Sequence, residues 1–207
     1  MTKVKICGIT CLEDALAACD AGADALGFVF APEARKRNRY IEPDAAREII
    51  CQLPPFVTAV AVVVNEPIDR LLHYLGFVDR VQLHGEEDAA LGAELPGRVI
   101  KAFHAGPAFT VEHMLRFPAG AYLLDASVPG ERGGTGTTCD WGLAREAVAT
   151  GKPVILAGGL TPENVGEAVR AVRPYAVDVS GGVEAAPGKK DHERIRAFIH
   201  HAKTSLA

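Results

Sequence analysis

The sequence predicts an α/β protein built as a (β/α)8 TIM barrel, with a single domain over residues 1–207. Short apolar runs alternate strictly with amphipathic runs, and the connections between them are short, which requires parallel strands and right-handed crossovers. Eight such repeats favour a closed barrel. An open sheet of this size usually carries a GxGxxG turn after its first strand, whereas here that turn is Cys7-Gly8-Ile9-Thr10.

Strands are predicted where apolar and β-branched residues cluster. The first strand runs through KVKIC and ends at Cys7-Gly8. The other predicted strands are Ala25–Phe30, Val57–Val64, Arg80–Leu83, Arg98–Phe103, Tyr122–Asp125, Pro153–Ala157 and Ala176–Val179. Each interval between them is long enough for one helix.

Helices are predicted in these intervals from their capping signals. Thr10 and Glu13 are typical of a capping box, which would open a first helix that runs to Ala21. Pro162 suits the first position of a helix that starts at Thr161. The remaining predicted helices are Pro43–Cys51, one after Pro67, Glu87–Leu95, one after Thr110, one after Asp140 and one from Asp191. The helical pattern is weakest between residues 108 and 117.

Charge and composition argue against two classes of partner. The net charge is −4 and no lysine-arginine stripe runs along the chain, so we expect no nucleic-acid partner. The short basic cluster from Arg35 to Arg39 is typical of a solvated loop. No run approaches the length that spans a bilayer and none resembles a signal peptide, so we expect a cytoplasmic protein without a membrane partner.

The five cysteines are an odd number, without CxxC spacings or nearby histidines. They indicate neither a disulfide framework nor a zinc site. We expect reduced thiols and no metal.

Side chains alternate along a strand, which decides which polar residues point into the barrel. Val4 and Ile6 form the apolar face that must meet the helices, so Lys5 and Cys7 point inward. The same alternation places Gln82 with His84, Leu123 with Asp125, and Asp178 with Ser180 on shared faces.

A lysine inside a barrel needs a counter-ion, and Asp178 is the predicted partner of Lys5. The sequence leaves two interpretations open. The pair is either a buried structural ion pair, or Asp178 takes a direct part in catalysis.

Cys7 and Asp125 each end a strand, where parallel α/β proteins bind ligands. A lone strand cysteine is most often a small core residue, and Asp125 could instead cap its own loop. However, a glycine follows Cys7, and a glycine-rich loop with Gly130, Gly133, Gly134 and Gly136 follows Asp125. A thiol ionises at about pH 8.5, and Lys5 could lower that value. The two residues are therefore predicted to form an acid/base pair.

Two late loops predict a phosphate site. They are Gly158-Gly159-Leu160 and Ser180-Gly181-Gly182-Val183-Glu184, which follow the seventh and eighth strands. Barrels commonly bind phosphate there through backbone N–H groups and the start of a short helix.

Several segments in family order give the chain a specific resemblance to the phosphoribosylanthranilate isomerases. These are VKICGIT, ALGFVFAP, RYIEPDAA, VQLHGEE, LLDASVPGERGGTGTTCDW, PVILAGGLTPENV, and VDVSGGVE with APGKKD. The resemblance implies an Amadori rearrangement of N-(5-phosphoribosyl)anthranilate in tryptophan biosynthesis, without metal or organic cofactor. It also implies a phosphorylated small molecule as the substrate. We expect a monomer or a homodimer.

The resemblance assigns roles to individual residues. Cys7 matches the family's general base and Asp125 its general acid. Arg39 best matches the arginine that binds the anthranilate carboxylate, but the loop from Glu33 to Asn38 is longer than usual, which leaves Arg37 as an alternative. Further substrate contacts are predicted from Lys5, Gln82, His84, Gly134 and Asp178. His84 could instead be a satisfied polar residue at the barrel mouth. SGGVE stands where SSGVE is commoner, but the Gly181 N–H can still donate to phosphate.

Other functions fit the sequence less well. Indole-glycerol-phosphate synthase would need an additional amino-terminal helix and lysines at strand tips, and a ribulose-phosphate epimerase would need metal-binding histidines on several strands. A non-catalytic phosphate-binding barrel would need neither Cys7 nor Asp125.

Overall fold

The computed structural model describes residues 1–106, 108–126 and 141–206, and these contain a closed barrel of eight parallel strands in chain order. β8 pairs with β1 and completes the ring. The strands are β1 Lys3–Cys7, β2 Ala25–Val29, β3 Thr58–Val63, β4 Arg80–Leu83, β5 Val99–Ala105, β6 Ala121–Ala126, β7 Val154–Leu156 and β8 Ala176–Val179. The predicted fold class and strand order are confirmed.

Among the described residues, one α-helix follows each barrel strand. The helices are α1 Leu12–Asp20, α2 Pro43–Ile50, α3 Ile68–Tyr74, α4 Ala89–Glu94, α5 Val111–Arg116, α6 Trp141–Ala149, α7 Val165–Val172 and α8 His192–Thr204. The segment with the weakest helical pattern does form α5, because Thr110 caps it by accepting a hydrogen bond from the His113 N–H at 3.1 Å. None of the helices within the described ranges is long and apolar enough to cross a membrane.

The apolar core has two layers that follow the alternation of side chains along the strands. Inside the barrel a small cluster consists of Val60, Ile100, Ala102, Leu123, Ile155, Ala157 and Ala176. Between barrel and helices lies the larger cluster, with Ile6 and Leu124 fully buried in it. Leu123 and Leu124 are neighbours in sequence but belong to different layers, as the two-residue period requires.

The predicted starts of α1 and α7 are wrong. Thr10 and Glu13 form no capping box: α1 begins at Leu12 after an N-cap at Cys11, and the Thr10 hydroxyl instead donates to the Gly188 carbonyl at 3.0 Å. α7 begins at Val165 rather than Thr161, after a turn in which the Asn164 side chain accepts the Thr161 N–H at 2.8 Å. At α1 a contact with a distant loop takes the hydroxyl that the sequence pattern assigned to a cap.

Two short 3₁₀ helices and a hairpin add to the barrel. The first 3₁₀ helix, Pro32–Arg37, contains much of the basic cluster, and the second is Gly181–Val183. Strands β9 Glu184–Ala186 and β10 Lys189–Lys190 form an antiparallel hairpin before α8. Its turn contains Gly188 at φ 80°, where an added Cβ would collide with the Asn38 carbonyl oxygen. The hairpin therefore packs against the loop that follows β2.

A buried ion pair fixes the connection from β4 to α4. Glu87, predicted to begin this helix, lies before it, since the Asp88 side chain caps α4 by accepting the Ala90 N–H at 2.7 Å. The Glu87 carboxylate instead contacts the Lys101 ammonium at 2.7 Å, with side-chain exposures of 2% and 5%. Lys101 also donates to the Gly85 carbonyl at 2.7 Å. The pair joins the end of β4 to β5.

We expect Glu87→Gln to destabilise the protein by about 3–5 kcal/mol at pH 7, because it leaves the Lys101 ammonium buried without a counter-charge. Burial would raise the pKa of Glu87, but the hydrogen bonds from Lys101 and Asn65 outweigh it and hold the pKa below its ordinary value of 4.5. A lowered carboxyl pKa stabilises the fold above the ordinary value and loses this effect as pH falls through the folded value.

Urea unfolding of both proteins from pH 7 to pH 3 measures this difference. The stability gap between wild type and Glu87→Gln should close on the acid side. Glu112→Gln, which breaks the exposed pair with Arg116, is the control and should change stability by less than about 1 kcal/mol. An equal gap at both ends of the pH range would contradict an ionised Glu87.

Candidate active site at the carboxyl ends of the strands

Cys7 lies at the carboxyl end of β1, and there is room for its thiol because its neighbour in the next strand has no side chain. Cys7 pairs in register with Gly27 of β2. A Cβ on Gly27 would lie 2.7 Å from the Cys7 Sγ and 3.1 Å from the Lys5 Nζ. Sequence reasoning missed Gly27, although a glycine inside a strand often indicates a close approach of other groups.

Lys5 and Asp178 form the predicted ion pair. They are register partners across the β1–β8 seam, and the Lys5 Nζ lies 2.8 Å from the Asp178 Oδ1, with side-chain exposures of 3% and 10%. Burial lowers the pKa of Lys5, but the charges of Asp178 and Cys7 raise it by more than burial lowers it. The pKa of Lys5 is therefore above its ordinary value. Lys5 is therefore a cation inside the barrel.

The Cys7 thiol is harder to ionise than the sequence suggested. Burial raises its pKa, Lys5 and Lys190 lower it, and the negative charge of Asp178 raises it again, with a net increase. Lys5 does favour the thiolate, as expected. Burial outweighs that effect, so the ligand-free protein holds Cys7 protonated at neutral pH.

Asp125 lies on β6 with polar residues of β4 beside it. Its exposed fraction is 5%, and its Oδ2 lies 3.7 Å from the His84 Nε2. The Gln82 Nε2 lies 3.1 Å from the His84 Nδ1. Burial, with the charges of His104, Lys5 and Lys101 added, lowers the pKa of His84 to about 4. His84 is thus neutral at pH 7.

The thiol and the carboxyl group are both buried, at the carboxyl ends of β1 and β6. β1 and β6 are separated by β7 and β8 in the closed ring. The Lys5–Asp178 pair lies on the intervening side. Two proton-transfer groups on separate strands can approach opposite sides of a ligand between them.

The two glycine loops after β7 and β8 come together. Gly158 and Gly159 have φ angles of 85° and 62°, which glycine adopts readily. Gly182 packs so closely on the Leu160 carbonyl that a Cβ would collide with it. The second loop continues into the 3₁₀ helix Gly181–Val183, so the short helix expected at a phosphate site is present.

Ser180 has a hydroxyl without a partner in this loop. Its Oγ is buried and makes no hydrogen bond to any residue that the structure describes. It lies 3.0 Å from the position of a Cβ built on Gly8. An unpaired buried hydroxyl is unfavourable by itself, so it indicates a group available to a ligand.

Arg39 reaches the barrel mouth between the first and last strand loops. Its Cδ and Cγ lie 3.4 and 3.5 Å from a Cβ built on Gly8, and its Nη2 lies 2.8 Å from one built on Gly181. Arg37 belongs to the 3₁₀ helix and is partly exposed. Arg39 donates to Glu184, which the sequence placed at the end of the predicted phosphate loop without assigning it a contact. Gly134 lies outside the described residues.

The structure defines a (β/α)8 barrel whose polar, partly charged side chains gather at the carboxyl ends of the strands, the end at which barrels of this class place their active sites. Comparison with known proteins specifies it further. The family model described as N-(5'phosphoribosyl)anthranilate (PRA) isomerase matches residues 4–201. The chain belongs to the N-(5'-phosphoribosyl)anthranilate isomerase family.

Relatives and solved structures agree with that family. A Geobacter metallireducens protein named N-(5'-phosphoribosyl)anthranilate isomerase is 51% identical over 205 residues, covering 98% of this chain and 100% of the relative. The crystal structure of phosphoribosyl anthranilate isomerase from Thermotoga maritima has a TM-score of 0.88 and 46% identity, covering 98% of this chain and 99% of its own. A complex of such an enzyme with reduced 1-(o-carboxyphenylamino)-1-deoxyribulose 5-phosphate has a TM-score of 0.85, 45% identity and the same coverage.

In the ligand-free protein, alkylation of Cys7 by iodoacetamide should show its half-maximal rate above pH 9.0, the ordinary value for the thiol. Burial disfavours the thiolate, so a higher pH is needed to generate it. Mass spectrometry of each cysteine peptide across pH 6 to 11 would measure this, with the exposed Cys51 as internal reference. A Cys7 profile with its midpoint near neutral pH would contradict the assignment.

Ser180→Ala should weaken binding of inorganic phosphate by about tenfold or more, because one hydrogen bond to a charged ligand is lost. Without phosphate its melting temperature should be unchanged or higher, since the replaced hydroxyl has no described partner. Thermal unfolding with and without phosphate measures both effects. Ser205→Ala, which removes a hydroxyl bonded to the His201 carbonyl, is the control. Full phosphate protection in Ser180→Ala would place the anion elsewhere.

Proposed function

We propose that the chain catalyses the Amadori rearrangement of N-(5-phosphoribosyl)anthranilate to 1-(2-carboxyphenylamino)-1-deoxy-D-ribulose 5-phosphate in tryptophan biosynthesis. One observation carries the mechanism: a buried thiol and a buried carboxyl group lie at the carboxyl ends of two separate strands of one barrel, in a chain of this family. The reaction is then general acid/base catalysis without metal or organic cofactor.

Asp125 acts as the general acid. It protonates the ring oxygen of the ribose, the ring opens, and the nitrogen becomes a positively charged iminium. Cys7 then removes the proton from C2, which the adjacent cation has made acidic. The resulting enolamine tautomerises to the ketone product.

The order of these steps fits the ionisation of Cys7. A protonated thiol is a poor base, and Cys7 is protonated in the ligand-free protein because burial raises its pKa. The iminium adds a positive charge near C2, which favours the thiolate as Lys5 already does, so the thiol releases its proton to solvent before Cys7 accepts the proton from C2. Ring opening therefore prepares Cys7 for the step that follows it.

The remaining site residues bind the two ends of the substrate. Arg39, rather than Arg37, binds the anthranilate carboxylate, since it is the arginine next to Gly8 and Gly181 at the mouth. A guanidinium can form parallel hydrogen bonds with a carboxylate. The phosphate binds to the loops that contain Gly158, Gly159, Ser180, Gly181 and Gly182. The space between the carboxylate and phosphate sites is lined by Lys5, Gln82, His84 and Asp178. Gly134 remains a predicted contact.

The chain works as one catalytic domain over residues 1–207, in the cytoplasm, as a monomer or a homodimer. A solved structure with a TM-score of 0.81 and 43% identity describes monomers generated from the dimeric isomerase of Thermotoga maritima. That protein supports both oligomeric states as workable for this barrel.

Cys7→Ala and Asp125→Asn should each lower turnover by about a hundred- to ten-thousand-fold, because each removes a proton-transfer group. Asp125→Asn is isosteric and Cys7→Ala removes only the sulfur atom, so the circular dichroism spectrum should stay close to that of the wild type. The assay follows the loss of fluorescence of freshly made phosphoribosylanthranilate, with spontaneous decay subtracted. Cys19→Ala, at a half-buried thiol of α1, should keep full activity. Near-normal turnover in either catalytic variant would refute the acid/base assignment.

A further inference from the structure

We propose that Glu184 is a positioning residue for substrate binding: it holds the guanidinium of Arg39 at the barrel mouth with one edge left for the carboxylate of the substrate. This inference rests on the proposed function, in which Arg39 binds that carboxylate. Glu184 belongs to the hairpin of β9 and β10, an element that the eight-fold barrel pattern does not require.

The hairpin is anchored to the loops that surround the site. Glu184 and Lys190 are register partners across it. Its turn residue Gly188 packs on the Asn38 carbonyl and accepts a hydrogen bond from the Thr10 hydroxyl at 3.0 Å. The loops after β1 and β2 therefore hold the hairpin, so the position of Glu184 follows from the barrel itself.

The Glu184 carboxylate is shared between two cations. Arg39 donates to it twice, from Nε to Oε1 at 2.8 Å and from Nη2 to Oε2 at 2.8 Å. Lys190 donates to Oε1 at 3.1 Å and to the Ser180 carbonyl at 3.2 Å. Two parallel N–H bonds fix the plane of the guanidinium as well as its position.

The cluster is buried. The side chains of Arg39, Glu184 and Lys190 are 13%, 6% and 0% exposed. Burial would raise the pKa of Glu184, but Arg39 and Lys190 outweigh it and lower the pKa. Burial lowers the pKa of Lys190, and the charge of Glu184 opposes this only in part. The guanidinium of Arg39 stays charged, so it can pair with Glu184 and also attract a ligand that brings a carboxylate.

Arg39 still has donors to offer. A guanidinium carries five N–H groups, and Glu184 takes one from Nε and one from Nη2. The other three belong to Nη1 and Nη2, and within the described part of the chain they have no second carboxylate. The edge formed by Nη1 and Nη2 can bind a carboxylate with two parallel hydrogen bonds, while Glu184 stays bonded to the adjacent edge formed by Nε and Nη2.

Two glycines leave room for the arginine in this orientation. The aliphatic part of Arg39 lies against Gly8 and its Nη2 lies against Gly181, with no side chain on either to displace it. A rotation of the guanidinium would break both bonds to Glu184. The alternative, a purely structural role for Glu184, predicts that its loss weakens every ligand equally.

Calorimetric titration with two ligands separates these roles. One is reduced 1-(o-carboxyphenylamino)-1-deoxyribulose 5-phosphate, and the other is the same compound made from aniline, which lacks the carboxylate. In the wild type the first should bind more tightly. Glu184→Gln should reduce that preference by about tenfold or more, because the amide cannot accept both Arg39 bonds. The aniline compound should bind nearly as it does to the wild type.

Further variants complete the test. Arg39→Ala should lose the preference, and Glu184→Gln added to Arg39→Ala should change it no further, since a residue that acts through Arg39 has no effect without it. Glu184→Asp, which keeps the charge, should retain part of the preference for the ligand with the carboxylate.

In turnover assays of Glu184→Gln, KM should rise by a larger factor than kcat falls. Glu42→Gln, at the exposed glutamate that contacts Arg35, is the matched control and should behave as wild type.

Each outcome decides one question. Equal loss for both ligands in Glu184→Gln, or additive effects in the double variant, would overturn the positioning role and leave the proposed function intact. A full preference in Arg39→Ala would show that Arg39 does not bind the carboxylate and would overturn the inference at its first step. A wild type that neither turns over phosphoribosylanthranilate nor binds the reduced product would remove the proposed function and this inference with it.

Discussion

Lys5 and Asp178 face each other across the seam where β8 closes the barrel onto β1, and the arrangement of the site depends on their ion pair. An ammonium group inside an apolar barrel must have a carboxylate partner, because its isolated charge would be strongly disfavoured there. The pair holds the cation beside Cys7, and Gly27 must lack a side chain to leave room for both groups. Burial, together with the charge of Asp178, outweighs the effect of Lys5 on the thiol and raises the pKa of Cys7.

Other buried charges in the barrel also have counter-ions, but their pairs have different effects. Lys101 and Glu87 balance each other and fix the connection from β4 to α4, so their effect is on stability. At the mouth Glu184 contacts both Arg39 and Lys190, beside the glycine loops after β7 and β8. The position of each group of charges therefore separates a structural joint from a cluster at the site.

The fold was largely predictable because strand alternation and helix periodicity are local properties of the chain. Lys5 was correctly placed inside the barrel from the apolar pattern of Val4 and Ile6. One error came where a distant group competes for a cap: Thr10 bonds to Gly188 instead of opening α1, and no local pattern contains that contact. The contact of Glu184 with Arg39 was not predicted for the same reason, since Arg39 is 145 residues away in sequence.

The sequence by itself determined the strand order, the residues that face the barrel interior and the strand ends at which Cys7 and Asp125 lie. These follow from the two-residue period of a strand and from the parallel connection rule, which act over short stretches. Only the tertiary structure decided that Arg39 rather than Arg37 lies between Gly8 and Gly181, that Gly27 makes room for the thiol, and that burial outweighs Lys5 at Cys7. These depend on burial and on charges from residues far apart in the chain, such as Lys5 and Asp178 at a separation of 173, which closure of the barrel brings within 2.8 Å.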